Sequence, residues 1–191
     1  MRWLTLYARS RQAPSSLAVV VISAVAVWAL ARISGGDPGD PWLSTLVLFA
    51  GATAVSVGLG GQDLALDRTA AIRWTLRRAA HVLLGGVLIG AVLLAVQTMG
   101  EQSAPASFVV RNSAGLMGLA AIGAAWFGAQ YAWILPFAWL SFSFFVPATT
   151  NTATQVLAWM MLPPGTAAGT WTALALAVLG TVVYSVGGPR R

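Results

Sequence analysis

The chain has 191 residues, of which 58% are hydrophobic and 8% charged, and its mean hydropathy is +0.76. A soluble domain carries roughly 25% charged residues, so a water-soluble fold is excluded. All eleven basic residues are arginine, the acids are Asp37, Asp40, Asp63, Asp67 and Glu101, and the net charge is +6; in so apolar a chain this charge reads as membrane topology and not as a nucleic-acid surface.

Taken in order, the first element is Met1–Gln12. Trp3, Leu4 and Tyr7 can share one helical face, Arg2, Arg9 and Arg11 lie beside it, and Pro14 breaks it. An apolar aromatic face flanked by arginine suits an amphipathic interface helix at the cytoplasmic membrane surface, residues 1–14. A disordered basic tail is the competing reading. A helix needs about 20 residues to cross a bilayer. At that length the chain has room for about six transmembrane helices, expected at Ser16–Ile33, Trp42–Gly60, Ala79–Thr98, Asn112–Phe127, Ala132–Val146 and Ala168–Val186. The fourth and fifth are short and are joined by the uncharged stretch Gly128–Tyr131. Pro136 is expected to kink the fifth.

Residues 61–78 form the one long charged loop. Acids come early and arginines late in it, as a short helix running into the third span would favour. It reads either as a docking surface for a soluble partner or as a topological anchor, because loop arginines are required in any case. Ala153–Leu162 is apolar but too short to cross, and prolines bound it on both sides. It is expected to be a short non-spanning extracellular helix, re-entrant or interfacial.

Charge sets the orientation. Arg2, Arg9, Arg11, Arg68, Arg73, Arg77, Arg78, Arg190 and Arg191 fall on one side of a six-span layout, nine of the eleven arginines. The positive-inside rule makes that side cytoplasmic, with both termini there. The expected class is therefore an all-α integral membrane protein, one polytopic domain over residues 1–191, multi-pass in the cell (inner or plasma) membrane. Arg111 and Asn112 begin the fourth span on the outer side. They read either as boundary anchors or as contacts of an outer gate.

The chemistry of catalysis is missing. There is no cysteine and one histidine, His81, which excludes thiolate and multi-histidine metal sites. Without lysine there is no P-loop, and no GxSxG elbow is present. The acids all lie in loops, which disfavours proton- or sodium-driven transport. The chain is read as a non-enzyme without a cofactor. Gly86 and Gly90 make a GxxxG step, and Gly115, Gly118 and Gly123 line the fourth span, permitting close helix contact within the chain or between copies.

The plan as a whole, with an amphipathic N-terminal segment, a charged loop between spans two and three and a non-spanning piece between spans five and six, resembles the permease subunit of ABC-2-type exporters. Leu64–Ala70, Arg77–His81, Arg111–Leu119 and Trp133–Pro136 are similar to stretches of small permease-like membrane proteins of high-GC actinobacteria. The resemblance implies a membrane permease subunit of an ATP-driven exporter, working as a homodimer or with a different permease half, in membrane lipid, on a separate ATP-binding ABC subunit that hydrolyses ATP. It implies a coupling helix at Asp63–Trp74, with Asp63, Leu64, Asp67, Arg68, Arg73 and Trp74 as partner contacts. It implies an interface helix carrying Arg2, Trp3, Tyr7, Arg9 and Arg11, and an exit closed by Ala153–Leu162. Two other readings remain: a non-transporting accessory or immunity membrane protein, and a substrate-binding membrane subunit of a vitamin-uptake complex.

Overall fold

The computed structural model describes residues 41–60, 74–98, 104–147 and 151–190, with isolated helical positions at Ala18, Val21, Ile22, Val25, Ala26 and Ala29. The described residues are helical, with no strand among them. The helices are α1 (Pro41–Ser56), α2 (Trp74–Gln97), α3 (Ala106–Phe127), α4 (Ile134–Phe145), α5 (Thr152–Leu157) and α6 (Ala167–Gly187). Single 3-10 turns follow α1 at Val57–Leu59 and precede α4 at Ala129–Tyr131. Pro41–Leu59, Trp74–Gln97, Ala106–Phe127 and Ala167–Gly187 are each long and apolar enough to cross a membrane. The architecture is that of a membrane-embedded helical protein.

Several expected boundaries move. The third span starts at Trp74, so the end of the charged loop is continuous with α2. The fourth starts at Ala106 and not at Asn112, because Pro105 supplies the extended N-cap residue and fits the first turn. The fifth is a helix of 12 residues, about 18 Å long against a hydrocarbon core of about 30 Å. Pro136 does not kink it. It is the third residue of α4, where its missing N–H interrupts no ladder bond. What separates α3 from α4 is Gly128, at φ 98°, followed by the 3-10 turn. The expected first span falls mostly outside the described residues, as do residues 1–14 and 61–73.

α3 is the centre of the bundle: 78% of its most apolar 18-residue window is buried, against 22% for that of α6 and 39% for that of α2. α6, α2 and α1 pack around it. The α3–α6 contact is made backbone to backbone. A methyl group on Gly180 would fall on the carbonyl of Gly118, and one on Gly118 would fall on the carbonyl of Leu176. Small residues here allow an approach no side chain would permit. The glycines singled out in the fourth span thus serve contacts inside the chain: Gly115 faces Trp159 and Ala173, and Gly123 faces the backbone of Ala132.

α4 runs antiparallel to α1, with Phe137 beside Phe49 and Phe144 edge-on to Trp42. The described helices then share two ends. At one end the Tyr184 hydroxyl donates to the Leu59 carbonyl at 2.6 Å, and the Arg190 amide donates to Ala124 at 3.1 Å. At the other, Thr45 and Arg111 meet the segment after α5. Tyr184→Phe removes one bond to a carbonyl that lies inside the bundle. The expected loss is about 1–3 kcal/mol, read as a lower midpoint in a thermal melt of the detergent-solubilised protein.

Candidate functional site

The non-spanning segment after α4 is the first candidate. Asn151 caps α5, its Oδ1 accepting from the Ala153 amide at 3.0 Å. The helix lasts six residues, and the chain then turns through Ala158–Leu162. Of these, Ala158, Trp159, Met160 and Leu162 are buried. A backbone without a helical ladder inside an apolar bundle must find other donors for its carbonyls. Side chains of three helices provide them.

From α3, Arg111 donates through Nη2 to Leu162 at 2.7 Å and through Nη1 to Pro163 at 3.0 Å. Its Nε donates to Asn112 Oδ1 at 3.0 Å, and Asn112 Nδ2 donates to the Met160 carbonyl at 2.7 Å. From α1, the Thr45 hydroxyl lies 2.7 Å from its own-helix acceptor Pro41 and 3.4 Å from the Met160 carbonyl. From α4, Trp139 Nε1 and Ser143 Oγ both donate to the Leu157 carbonyl, at 3.0 and 2.8 Å. The carbonyls of residues 157, 160, 162 and 163 are thereby all occupied.

Arg111 is only 8% exposed and Asn112 is fully buried. The Phe108 ring lies 5.2 Å from the Arg111 guanidinium carbon, a cation–π contact. No Asp or Glu occurs among the described residues, so the charge is met by carbonyl dipoles and an aromatic face. Gly169 makes room for it, since a methyl there would lie 3.1 Å from Nη1. Below the clasp, the fully buried Trp159 packs against Gly115 of α3, which Ala173 of α6 also approaches. Its indole N–H has no acceptor among the described residues.

Arg111 and Asn112 are therefore not at a helix boundary. They sit in the second turn of α3, reached from Ala106, and hold the backbone that follows α5. Thr53 and Ser56 bond to carbonyls of their own helix, at Phe49 and Thr53.

The opposite end gathers Arg77, Arg78 and Arg190. The Arg78 guanidinium lies against Gly188, where the chain leaves α6 at φ 68°. Arg190 reaches back to the carbonyl of Trp126 at 3.4 Å, at the end of α3. Arg78 and Arg190 each face a helix C-terminus, where the unpaired carbonyls carry partial negative charge. Arg77 is exposed, its guanidinium carbon 5.6 Å from the Trp74 ring. Trp126, Phe127, Tyr131 and Trp133 are exposed at this end, an aromatic belt of the kind found at a membrane–water interface.

Of the expected partner contacts, Trp74 opens α2, while Asp63, Leu64, Asp67, Arg68 and Arg73 lie outside the described residues, as do Arg2, Trp3, Tyr7, Arg9 and Arg11 of the interface segment. Thr45, Trp139 and Ser143 were not readable as partners of the backbone that follows α5. The one signal was a set of hydroxyl and indole groups at positions whose neighbours are apolar. No group of three or more His, Cys, Asp or Glu that could hold a metal occurs among the described residues. No protein-family model, curated protein or solved structure matches this chain.

Proposed function

We propose that this chain is the membrane permease subunit of an ATP-driven exporter of the ABC-2 type, working as a dimer with a separate ATP-binding subunit. The observation that supports the reading is the polarity of the bundle. One end carries Arg77, Arg78 and Arg190 and is where residues 61–73 join α2. The other is closed by a re-entrant segment clasped by Arg111 and Asn112. The positive-inside rule puts the arginine end in the cytoplasm, where a soluble ATP-binding subunit can dock. Asp63, Leu64, Asp67, Arg68, Arg73 and Trp74 are its contacts, and Arg2–Arg11 is the interface helix. Arg111 and Asn112 then act at the outer end by holding the closure in place.

The mechanism is mechanical. ATP binding in the partner moves the coupling loop, the loop shifts α2, and α2 transmits to α3 through the contact of Gly85 with Met117. A partner drives such a change only by its differential affinity for the two states.

Gentle-detergent purification of the tagged chain from its host, followed by mass spectrometry, is expected to recover a stoichiometric P-loop ATPase. In that complex the double charge reversal Asp67→Arg, Arg68→Asp is expected to leave assembly of the permease intact and to uncouple ATP hydrolysis from transport. Recovery of the chain alone, or unchanged coupling in the double variant, would overturn the proposal in favour of an accessory membrane protein.

A further inference from the structure

The segment between α5 and α6 is pinned at both ends by bonds that do not involve α3. At its start the Leu157 carbonyl accepts from the Trp139 indole and the Ser143 hydroxyl of α4, at 3.0 and 2.8 Å. At its finish the Pro163 carbonyl accepts from the Thr166 hydroxyl at 2.9 Å and the Thr166 amide at 3.4 Å, a turn closed on itself at the head of α6. Residues 158–162 therefore bridge from α4 to α6 as a strap. Between those ends α3 holds it, Asn112 at the Met160 carbonyl and Arg111 at that of Leu162.

Trp159 is the anchor of the strap in the bundle. Its ring lies against Gly115, nine residues into α3 from Ala106 and so about 14 Å along the helix axis. Ala173 of α6 approaches the same glycine. Here two sets of polar groups are at odds. Arg111 and Asn112 have their acceptors. The Trp159 indole N–H, on a fully buried side chain, has none among the described residues, whereas the Trp139 indole finds one. A buried donor without an acceptor bears the full loss of its hydration. Lifting the strap reverses both conditions: the indole N–H meets water, and Arg111 and Asn112 give up their carbonyls. The closed position is thereby raised toward the open one, and the two anchored ends confine the motion to the strap, the condition for local opening without global unfolding.

We propose that residues 158–162 open and close over the seam of α3 and α6, with Arg111 and Asn112 holding the strap shut and the buried indole N–H of Trp159 working against closure. Opening withdraws Trp159 from Gly115 and gives water access to Ala173 from the end of the bundle away from Arg78 and Arg190. The inference concerns this chain alone. It stands whether or not an ATP-binding subunit docks at the other end, since the opposing groups all lie within the described bundle.

The test exploits a chain without cysteine. Ala173→Cys supplies its one thiol on a side chain that is buried, and the full chain in nanodiscs is treated with a charged, water-soluble methanethiosulfonate. Ala121→Cys, buried further along α3, is the companion that reads global unfolding. Ala173→Cys is expected to react slowly but to completion. Adding Arg111→Met should speed the reaction about a hundredfold, the loss of its charge-assisted bonds. Replacing the Trp159 indole by a benzothiophene of the same shape, with sulfur where the N–H stands, should slow it about tenfold, because closure no longer buries an unpaired donor. Ala121→Cys should stay unreactive throughout. Amide hydrogen exchange of residues 158–162 in the chain without a thiol is expected to follow the same order, which excludes an effect of the new side chain. Four outcomes overturn the proposal. These are an Ala173→Cys that never reacts in the otherwise wild-type chain, a rate indifferent to Arg111→Met, a benzothiophene variant that opens as fast as the indole or faster, and Ala121→Cys reacting in parallel with Ala173→Cys.

Discussion

Gly180→Leu is expected to abolish the native bundle. Where α6 crosses α3, the only atom that fits between the two backbones at this point is hydrogen: the first carbon of any side chain at residue 180 coincides with the Gly118 carbonyl. That carbonyl belongs to the interior of the central helix and cannot rotate aside without breaking its ladder bond. The helices must separate instead, and separation also lifts Ala173 of α6 from Gly115 of α3, where Trp159 packs. Overpacking ordinarily costs about 1–3 kcal/mol, occasionally more. With backbone as the obstacle, even Gly180→Ala is expected at or above the top of that range. The measurement is thermal unfolding by circular dichroism with size-exclusion chromatography in detergent. Gly180→Leu should elute as aggregate, Gly180→Ala should melt well below the wild type, and Gly86→Ala should melt within about 1 kcal/mol of it. A Gly180→Leu protein that stays monodisperse and melts like the wild type would refute the backbone contact.

Arg111→Met is expected to release the segment after α5 while leaving the long helices folded. The substitution keeps much of the aliphatic volume on Phe108 and removes the guanidinium donors to Leu162 and Pro163, of which only Pro163 retains another, from Thr166. It also deprives Asn112 Oδ1 of its donor. A hydrogen bond to a charged group contributes about 1.5–3 kcal/mol, and the Leu162 carbonyl left behind is buried away from water. The expected local loss is therefore about 3 kcal/mol or more, concentrated in residues 151–166. Amide hydrogen exchange is the direct readout: protection there should fall about a hundredfold or more, the factor that corresponds to such a loss, while α2 and α3 keep theirs. Arg111→Lys offers one point of charge in place of a planar fork, so it is expected to restore less than half of the protection. Unchanged exchange in Arg111→Met would show that the clasp does not hold the segment.

Much of the fold was legible in the sequence because hydropathy is a local quantity. Each long helix coincides with an apolar run near one bilayer in length, and the run after Pro147 was recognisably too short to cross. The gathering of Arg77, Arg78 and Arg190 at one end of the described bundle was expected from the same local pattern of charge between apolar runs. The errors have local causes too. A charged residue ordinarily marks the boundary of a span, which is why Arg111 points to a start at Asn112. Here the boundary is Pro105, and the arginine is buried because carbonyls replace water around it.

What the sequence determined by itself is the solvent this chain is made for: too few charges to cover a soluble surface, apolar segments of membrane length, and arginines on alternate connections. Only the tertiary structure decided which of its 20 glycines touch backbone, and that Arg111 closes on residues 51 and 52 positions further along the chain. In so apolar a sequence nearly every helix face is hydrophobic, so periodicity distinguishes little among partners. The choice is made by steric fit and by the few buried donors and acceptors that must find one another when no water is present.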